Sequence, residues 1–241
     1  MSFPASLPSV PARPAPALTG FDRVAWCYDA LAALVFGPAL RNTQRAALAG
    51  LPAGAPHVLI LGGGTGWVLT EVLRRRPAAT VLYLEASARM LARASARLTP
   101  AQARRVEFRH GTQRALGPTD TFEALVTFFV LDCLEQAELP GALAQLNAAR
   151  RPGAPWLLAD FRPARRGWRA GLLRAMFYFF RQTTGLRNNV LPDLTPALAQ
   201  LGLQPQWQRF FFAGATEAMV LKNTYDSPDG EIASGQNIIL T

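Results

Sequence analysis

The chain is poor in several things whose scarcity narrows its role. Only two cysteines occur in 241 residues, Cys27 and Cys133. They are far apart and lack a metal-like partner spacing, which excludes a disulfide framework and leaves no zinc site to build. A reducing cytoplasm is the expected address. No stretch approaches the roughly 18 apolar residues that a membrane-spanning helix needs. The best, Ala30 to Leu40, is short and interrupted by Gly37 and Pro38. The first twenty residues have no basic start before Arg13 and no continuous apolar core, but five prolines, so they read as a flexible leader over 1–20 and not as a secretory signal. Lysine is nearly missing: Lys222 stands alone and arginine supplies 24 of the 25 cationic side chains. The formal charge of +9 invites a nucleic-acid or membrane partner. An arginine bias in an alanine-rich chain is spread over the whole sequence, however, and a nucleic-acid partner is not expected on charge alone.

What is present suits one globular α/β domain, with 50% hydrophobic and 17% charged residues. Phe21 to Leu51 has helical spacing, with Val24, Tyr28, Leu31 and Val35 on one face, and Pro52 and Gly54 close it; it reads as an N-terminal helical cap over 21–52. Short apolar runs then alternate with amphipathic segments. The runs are Val58 to Leu61, Val81 to Leu84, Val106 to Phe108, Ala124 to Phe129 and Trp156 to Ala159; the segments between are Trp67 to Arg76, Ser87 to Leu98 and Leu139 to Arg150. Such alternation predicts βαβ units and a parallel sheet. Two further runs, from Gln206 to Lys222 around Ala213-Gly214-Ala215, predict an antiparallel hairpin. The expected fold is therefore a Rossmann-like, doubly wound, seven-stranded sheet, mostly parallel with an antiparallel C-terminal hairpin, plus a helical cap. The domain spans 21–223, with a lid insertion at 162–190, and an acidic tail follows at 224–241.

The strongest chemical signal is Gly62-Gly63-Gly64-Thr65-Gly66 between the first strand and the helical Trp67 segment. A strand that ends in such a turn brings backbone N–H groups and a helix N-terminus close to a ligand. The glycines at 62, 64 and 66 form G-x-G-x-G. A dinucleotide fingerprint would need its third glycine where Trp67 stands, which argues against NAD or FAD. Glu85 ends the second strand 19 residues beyond Gly66, where a carboxylate accepts the hydroxyls of a ribose. Its plainer reading is a strand-end charge meeting solvent. The glycine turn, Glu85, Gly111-Thr112, Phe129 to Asp132 and Asp160 all fall at the C-terminal ends of expected strands, the rim where doubly wound sheets bind ligands.

Gly62 to Gly66, Glu85-Ala86-Ser87 with Met90, Phe122-Glu123 leading to Leu131-Asp132, and Arg151-Pro152-Gly153-Ala154 resemble the successive motifs of class I S-adenosylmethionine-dependent methyltransferases. The resemblance runs from about Val58 to Lys222. Phe21-Asp22-Arg23-Val24-Ala25 and Tyr28-Asp29 are similar to the opening of the ubiquinone/menaquinone-biosynthesis C-methyltransferases. By position, the resemblance implies that Gly62, Gly64, Thr65 and Gly66 border the methionine part of the cofactor and that Glu85 holds the ribose. Ala86 lines the adenine, Thr112 and Gln113 lie at its edge, and Phe128 and Phe129 close the pocket. Three positions depart from the pattern. Ile60 replaces an acid before the first glycine, Thr112 an aspartate, and Ala154 the second glycine of a Pro-Gly-Gly turn.

Methyl transfer from a sulfonium is an in-line displacement, so alignment supplies much of the catalysis and a base is needed only where the acceptor must lose a proton. Tyr28, Asp132 and His110 are candidates for that base. A structural imidazole is the simpler account of His110, and Asp132 could equally cap the next helix through Glu135. His57 falls at the opposite end of the sheet. The insertion, basic from Arg162 to Arg169 and then carrying Trp168, Leu172, Met176, Phe179 and Phe180 at helical spacing, is a packed cap helix, an aromatic lid over a hydrophobic acceptor, or a peripheral membrane contact. The expected function is S-adenosylmethionine-dependent methyl transfer to a small hydrophobic or aromatic acceptor such as a quinol, phenol or lipid-like molecule. The alternatives are a nucleic-acid methyltransferase and a catalytically degenerate nucleoside-binding scaffold.

Overall fold

A computed structural model describes residues 37–162, 171 and 191–223. Seven strands, β1 (His57–Leu61), β2 (Thr80–Glu85), β3 (Val106–His110), β4 (Ala124–Phe128), β5 (Trp156–Phe161), β6 (Leu203–Phe211) and β7 (Thr216–Asn223), form one sheet of order β3-β2-β1-β4-β5-β7-β6. The first five pair in parallel, and β7 runs antiparallel to both its neighbours. The hairpin read from the sequence is thus present, and its second strand is the inner one.

The apolar runs of β1, β4 and β5 lack alternation because both faces are covered. Leu59, Leu61, Leu125 and Leu158 pack beneath helices α5 (Leu139–Ala148) and α6 (Thr195–Gln200). Val58, Ile60, Val126 and Ala159 face α1 (Ala39–Ala47), α2 (Trp67–Arg75) and α3 (Ala88–Ala96). A period of two along each strand therefore divides its side chains between two cores. Edge strand β6 is exposed along most of its length. Polar groups inside the sheet are paired: the Trp156 indole N–H donates to Thr127 Oγ1 at 2.8 Å, both fully buried.

Several boundaries differ from the sequence reading. Of the expected helix over 21–51, the described part is α1, preceded by Gly37 and Pro38 and followed by a 3-10 turn at Leu48–Gly50. β4 stops at Phe128, because Phe129 has φ +53 and breaks the strand. A one-turn helix α4 (Pro100–Ala103), closed by a Thr99–Gln102 capping box, and α6 had no counterpart in the sequence reading. Most of the insertion and all of the leader and tail lie outside the described residues. Among the described residues no helix is long and apolar enough to cross a membrane.

Candidate functional site

The ends of β1, β2, β3 and β4 open into a cavity of about 480 Å³, walled on its far side by α1. Its size falls within the usual range for small-ligand sites, roughly 300–1,000 Å³. The glycine turn forms its floor. A Cβ on Gly63 would overlap the Tyr83 ring at 2.5 Å, and one on Gly62 would run into Val130 Cγ2. Gly66, at φ +93, begins α2, and a Cβ there would meet Ala94 Cα at 2.6 Å. Gly64 is different: at φ +62, a Cβ built on it meets only Met90 Sδ, at 4.0 Å. Packing thus explains Gly62, Gly63 and Gly66, whereas the missing side chain at Gly64 leaves room at the cavity floor.

Glu85 is the centre of this floor. It is 6% exposed, and each of its oxygens accepts a backbone N–H, Gly64 N–H to Oε2 and Ser87 N–H to Oε1, both at 2.9 Å. Burial raises its pKa, opposed by these N–H groups, the Ala86 N–H and the nearby His110. Each carboxylate oxygen can accept a second hydrogen bond, so the carboxylate is held in place with capacity left for a hydroxyl donor. Tyr83 Oη donates to Gly64 O at 2.8 Å and pins the turn from below. His110 Nε2 lies 2.8 Å from Ala86 O, so His110 braces the segment after Glu85, in keeping with its structural reading. Ser87 caps α3 by accepting the Met90 N–H.

Gly62, Gly64, Thr65, Glu85, Ala86, Thr112, Gln113, Phe128 and Phe129 all line the cavity. Gly66 does not; its place is the contact with Ala94. Thr112 accepts the Arg114 N–H and starts the turn Gln113–Ala115, leaving Gln113 buried. The left-handed backbone of Phe129 is unusual for a bulky residue. It is held by an N–H bond to Ala159 O at 2.8 Å and by ring contact with Phe161 at 4.9 Å. The sequence reading missed Arg41, Gln44, Arg45 and Trp67 as lining residues. Helical spacing in α1 was a usable signal, but their meeting with Trp67 depends on tertiary packing.

A second group of acids lies behind the rim. Asp132 sits in a 3-10 turn, Leu131–Cys133, and α5 begins only at Leu139, so Asp132 does not cap that helix. Cys133, which lines the cavity, donates its S–H to Asp132 Oδ1 at 3.6 Å. Burial pushes Asp132 up to about 6. Asp160, fully buried on β5, accepts its neighbour Phe161 N–H through Oδ1, while Oδ2 has no hydrogen-bond partner among the described residues. Burial and the Asp132 charge push the Asp160 carboxyl well above the ordinary range. Tyr28 lies outside the described residues. His57 stacks on Phe122 at 4.9 Å and meets Thr80 at 2.9 Å, at the far end of the sheet.

Residues 58–153 match a protein family described as a methyltransferase domain. A curated relative, the ubiquinone/menaquinone biosynthesis C-methyltransferase UbiE of Syntrophotalea carbinolica, is 29% identical over 155 residues, 64% of this chain and 65% of that protein. Among solved structures, the mitomycin 7-O-methyltransferase MmcR superposes with a TM-score of 0.61 at 20% identity, over 78% of this chain and 54% of the other. An S-adenosylmethionine-dependent methyltransferase from Mesorhizobium loti superposes with a TM-score of 0.58 at 20% identity, over 76% of this chain and all of its own. The chain therefore spans less than two thirds of the length of the curated relative and about half that of the mitomycin enzyme.

Proposed function

We propose, with a methyltransferase domain over residues 58–153 as the premise, that this chain transfers the methyl group of S-adenosylmethionine to a small hydrophobic or aromatic acceptor. The observation that carries this reading is Glu85, buried and fixed through both oxygens beside the open floor at Gly64. A carboxylate so placed suits the two hydroxyls of a ribose, and the room over Gly64 suits close approach by the rest of the nucleoside. Thr112 and Gln113 offer neutral hydrogen-bonding groups at the neighbouring strand end, where the adenine edge would lie.

Bound S-adenosylmethionine supplies an electrophilic methyl group on a sulfonium. The protein's part is then to orient, to exclude water and, where needed, to accept a proton. Phe128, Phe129 and Val130 make one wall of the cavity apolar, which favours a hydrophobic or aromatic acceptor. Asp132 is buried and does not itself line the cavity, but it accepts the S–H of Cys133, which does, at 3.6 Å. It is the proposed proton acceptor, relayed through that contact, for an acceptor that loses a proton, with a pKa raised by burial to about 6. Peripheral membrane contact through 162–190 would suit a lipid-like acceptor.

Calorimetric titration of S-adenosylhomocysteine and NAD into wild type and Glu85→Ala tests the reading. Micromolar binding of the homocysteine product alone, weakened at least about 30-fold in the variant, is the expected result. Binding of neither ligand would overturn the reading, binding of S-adenosylhomocysteine without turnover across acceptor classes would favour the nucleoside-scaffold alternative, and tight NAD binding would replace the methyltransferase reading altogether.

A further inference from the structure

The two ends of the cavity differ in charge. Toward β2 it ends on Glu85, and toward α1 on Arg41, Gln44 and Arg45. These three residues, at i, i+3 and i+4, share one side of the helix. Thr43 and Ala47, both fully buried, seat the same helix on the sheet, with Thr43 Oγ1 2.9 Å from Thr216 Oγ1. The guanidinium carbons of Arg41 and Arg45 stand 5.8 and 5.5 Å from the centre of the Trp67 ring. Both arginines are thus gathered on the residue that directly follows the glycine turn. A guanidinium resting on an aromatic face keeps its N–H edge free for a planar anion. Among the described residues neither arginine forms an ion pair. Ile60 is 1% exposed in the core, so β1 sends no acid to this end of the cavity and the local charge is positive.

We infer that Arg41 and Arg45 form a carboxylate-binding end of the cavity that clasps the α-carboxylate in the amino-acid part of S-adenosylmethionine. The inference rests on the methyltransferase reading and adds to it a polarity: ribose at Glu85, carboxylate at α1, with the glycine turn between them. Arg41 and Arg45 are exposed, so their bonds to a carboxylate, though charge-assisted, are open to screening by salt.

The test compares two nucleosides by calorimetry. S-adenosylhomocysteine carries the amino-acid group, and 5′-methylthioadenosine keeps the adenosine and thioether without it. In Arg41→Gln/Arg45→Gln, S-adenosylhomocysteine should weaken at least about tenfold, while 5′-methylthioadenosine stays within about twofold of wild type, which also shows that the site is folded. Arg41→Lys/Arg45→Lys should recover part of the loss, since charge returns without the fork. Raising salt from about 0.05 to about 0.5 M should narrow the preference for S-adenosylhomocysteine in wild type and leave the glutamine variant unchanged. Equal weakening of both nucleosides overturns the inference. So does unchanged S-adenosylhomocysteine binding in the glutamine variant while Glu85→Ala still abolishes it; in that case the methyltransferase reading stands without this subsite. Failure of wild type to bind S-adenosylhomocysteine overturns both.

Discussion

Glu85 and Asp160 are both buried acids at the C-terminal ends of strands on one rim, yet their surroundings are opposite. Glu85 receives two backbone N–H groups, one for each oxygen. Asp160 receives the N–H of its own neighbour on one oxygen and leaves the other without a partner among the described residues. The difference lies in the local chain. After β2, the turn into α3 aims N–H groups back at the strand end, and the glycine turn contributes another. After β5 the backbone runs on as strand through Phe161, so its remaining N–H groups are committed to the sheet. Burial raises the pKa of both acids, but at Glu85 the surrounding N–H groups oppose the rise, whereas at Asp160 the neighbouring Asp132 charge adds to it.

Exchanging Glu85 for glutamine strikes this contrast hardest. An amide nitrogen would have to face either the Gly64 or the Ser87 N–H, donor against donor, so the expected loss of S-adenosylhomocysteine affinity is about 100-fold, or roughly 3 kcal/mol. A calorimetric loss below about threefold would mean that the held carboxylate is incidental to binding. Asp160→Asn should act in the opposite sense and stabilise the fold by about 1–3 kcal/mol at pH 8, read as a higher midpoint in chemical denaturation. Unchanged or lower stability would show that Asp160 has a charge partner.

The pH dependence sharpens the comparison. Asp132 and Asp160 bind a proton more tightly in the folded state than in the unfolded one, because their folded pKa values are raised, Asp132 to about 6. Their contribution to stability is therefore present below the ordinary aspartate value and is lost as pH rises through about 6, extending higher for Asp160. The difference in stability between Asp160→Asn and wild type should grow from pH 4 to pH 8, with a slope of at most about 1.4 kcal/mol per pH unit for one proton. A flat difference across that range would dismiss the buried-acid account. The smallest effect belongs to His110. His110→Phe removes a single brace on Ala86 O and should weaken nucleoside binding about threefold, with any loss above about 30-fold pointing to direct ligand contact.

Much of this site was legible in the sequence because it is built from local signals. The five parallel strands announced themselves as apolar runs, the turn by its glycines, and Glu85 by its distance from Gly66. The pocket places that the family resemblance implies for Thr112, Gln113, Phe128 and Phe129 are in the lining, at or just after the ends of β3 and β4. What could not be read depends on contacts between distant segments. Nothing in Thr80–Glu85 says that Tyr83 will reach Gly64, or that Gly63 must be small to admit its ring. Asp132 reads from the sequence either as a base or as a cap of the next helix; that helix begins at Leu139, as its apolar pattern predicts, and a separate 3-10 turn, Leu131–Cys133, buries the carboxylate away from it. Gly66 looked like a ligand residue by pattern, and its constraint proves to be the closeness of Ala94.

The placement of β7 between β5 and β6 also sets an order of assembly during synthesis. The strands up to β5 can pair as they emerge, but the free edge of β5 waits for residues 216–223, the last to be made among those described. Thr43 on α1 meets Thr216 across 173 positions of chain, so the helix that closes the cavity, already seated on β1, β4 and β5 through Ala47, completes its footing when that strand arrives. A ribosome-bound chain that has released β5 but not β7 therefore holds the Glu85 end of the cavity before the wall opposite it has its Thr43–Thr216 contact. On the proposed function, tight nucleoside binding would then be a property of the finished domain, and ligand added during translation should speed the final closure of the sheet rather than its nucleation.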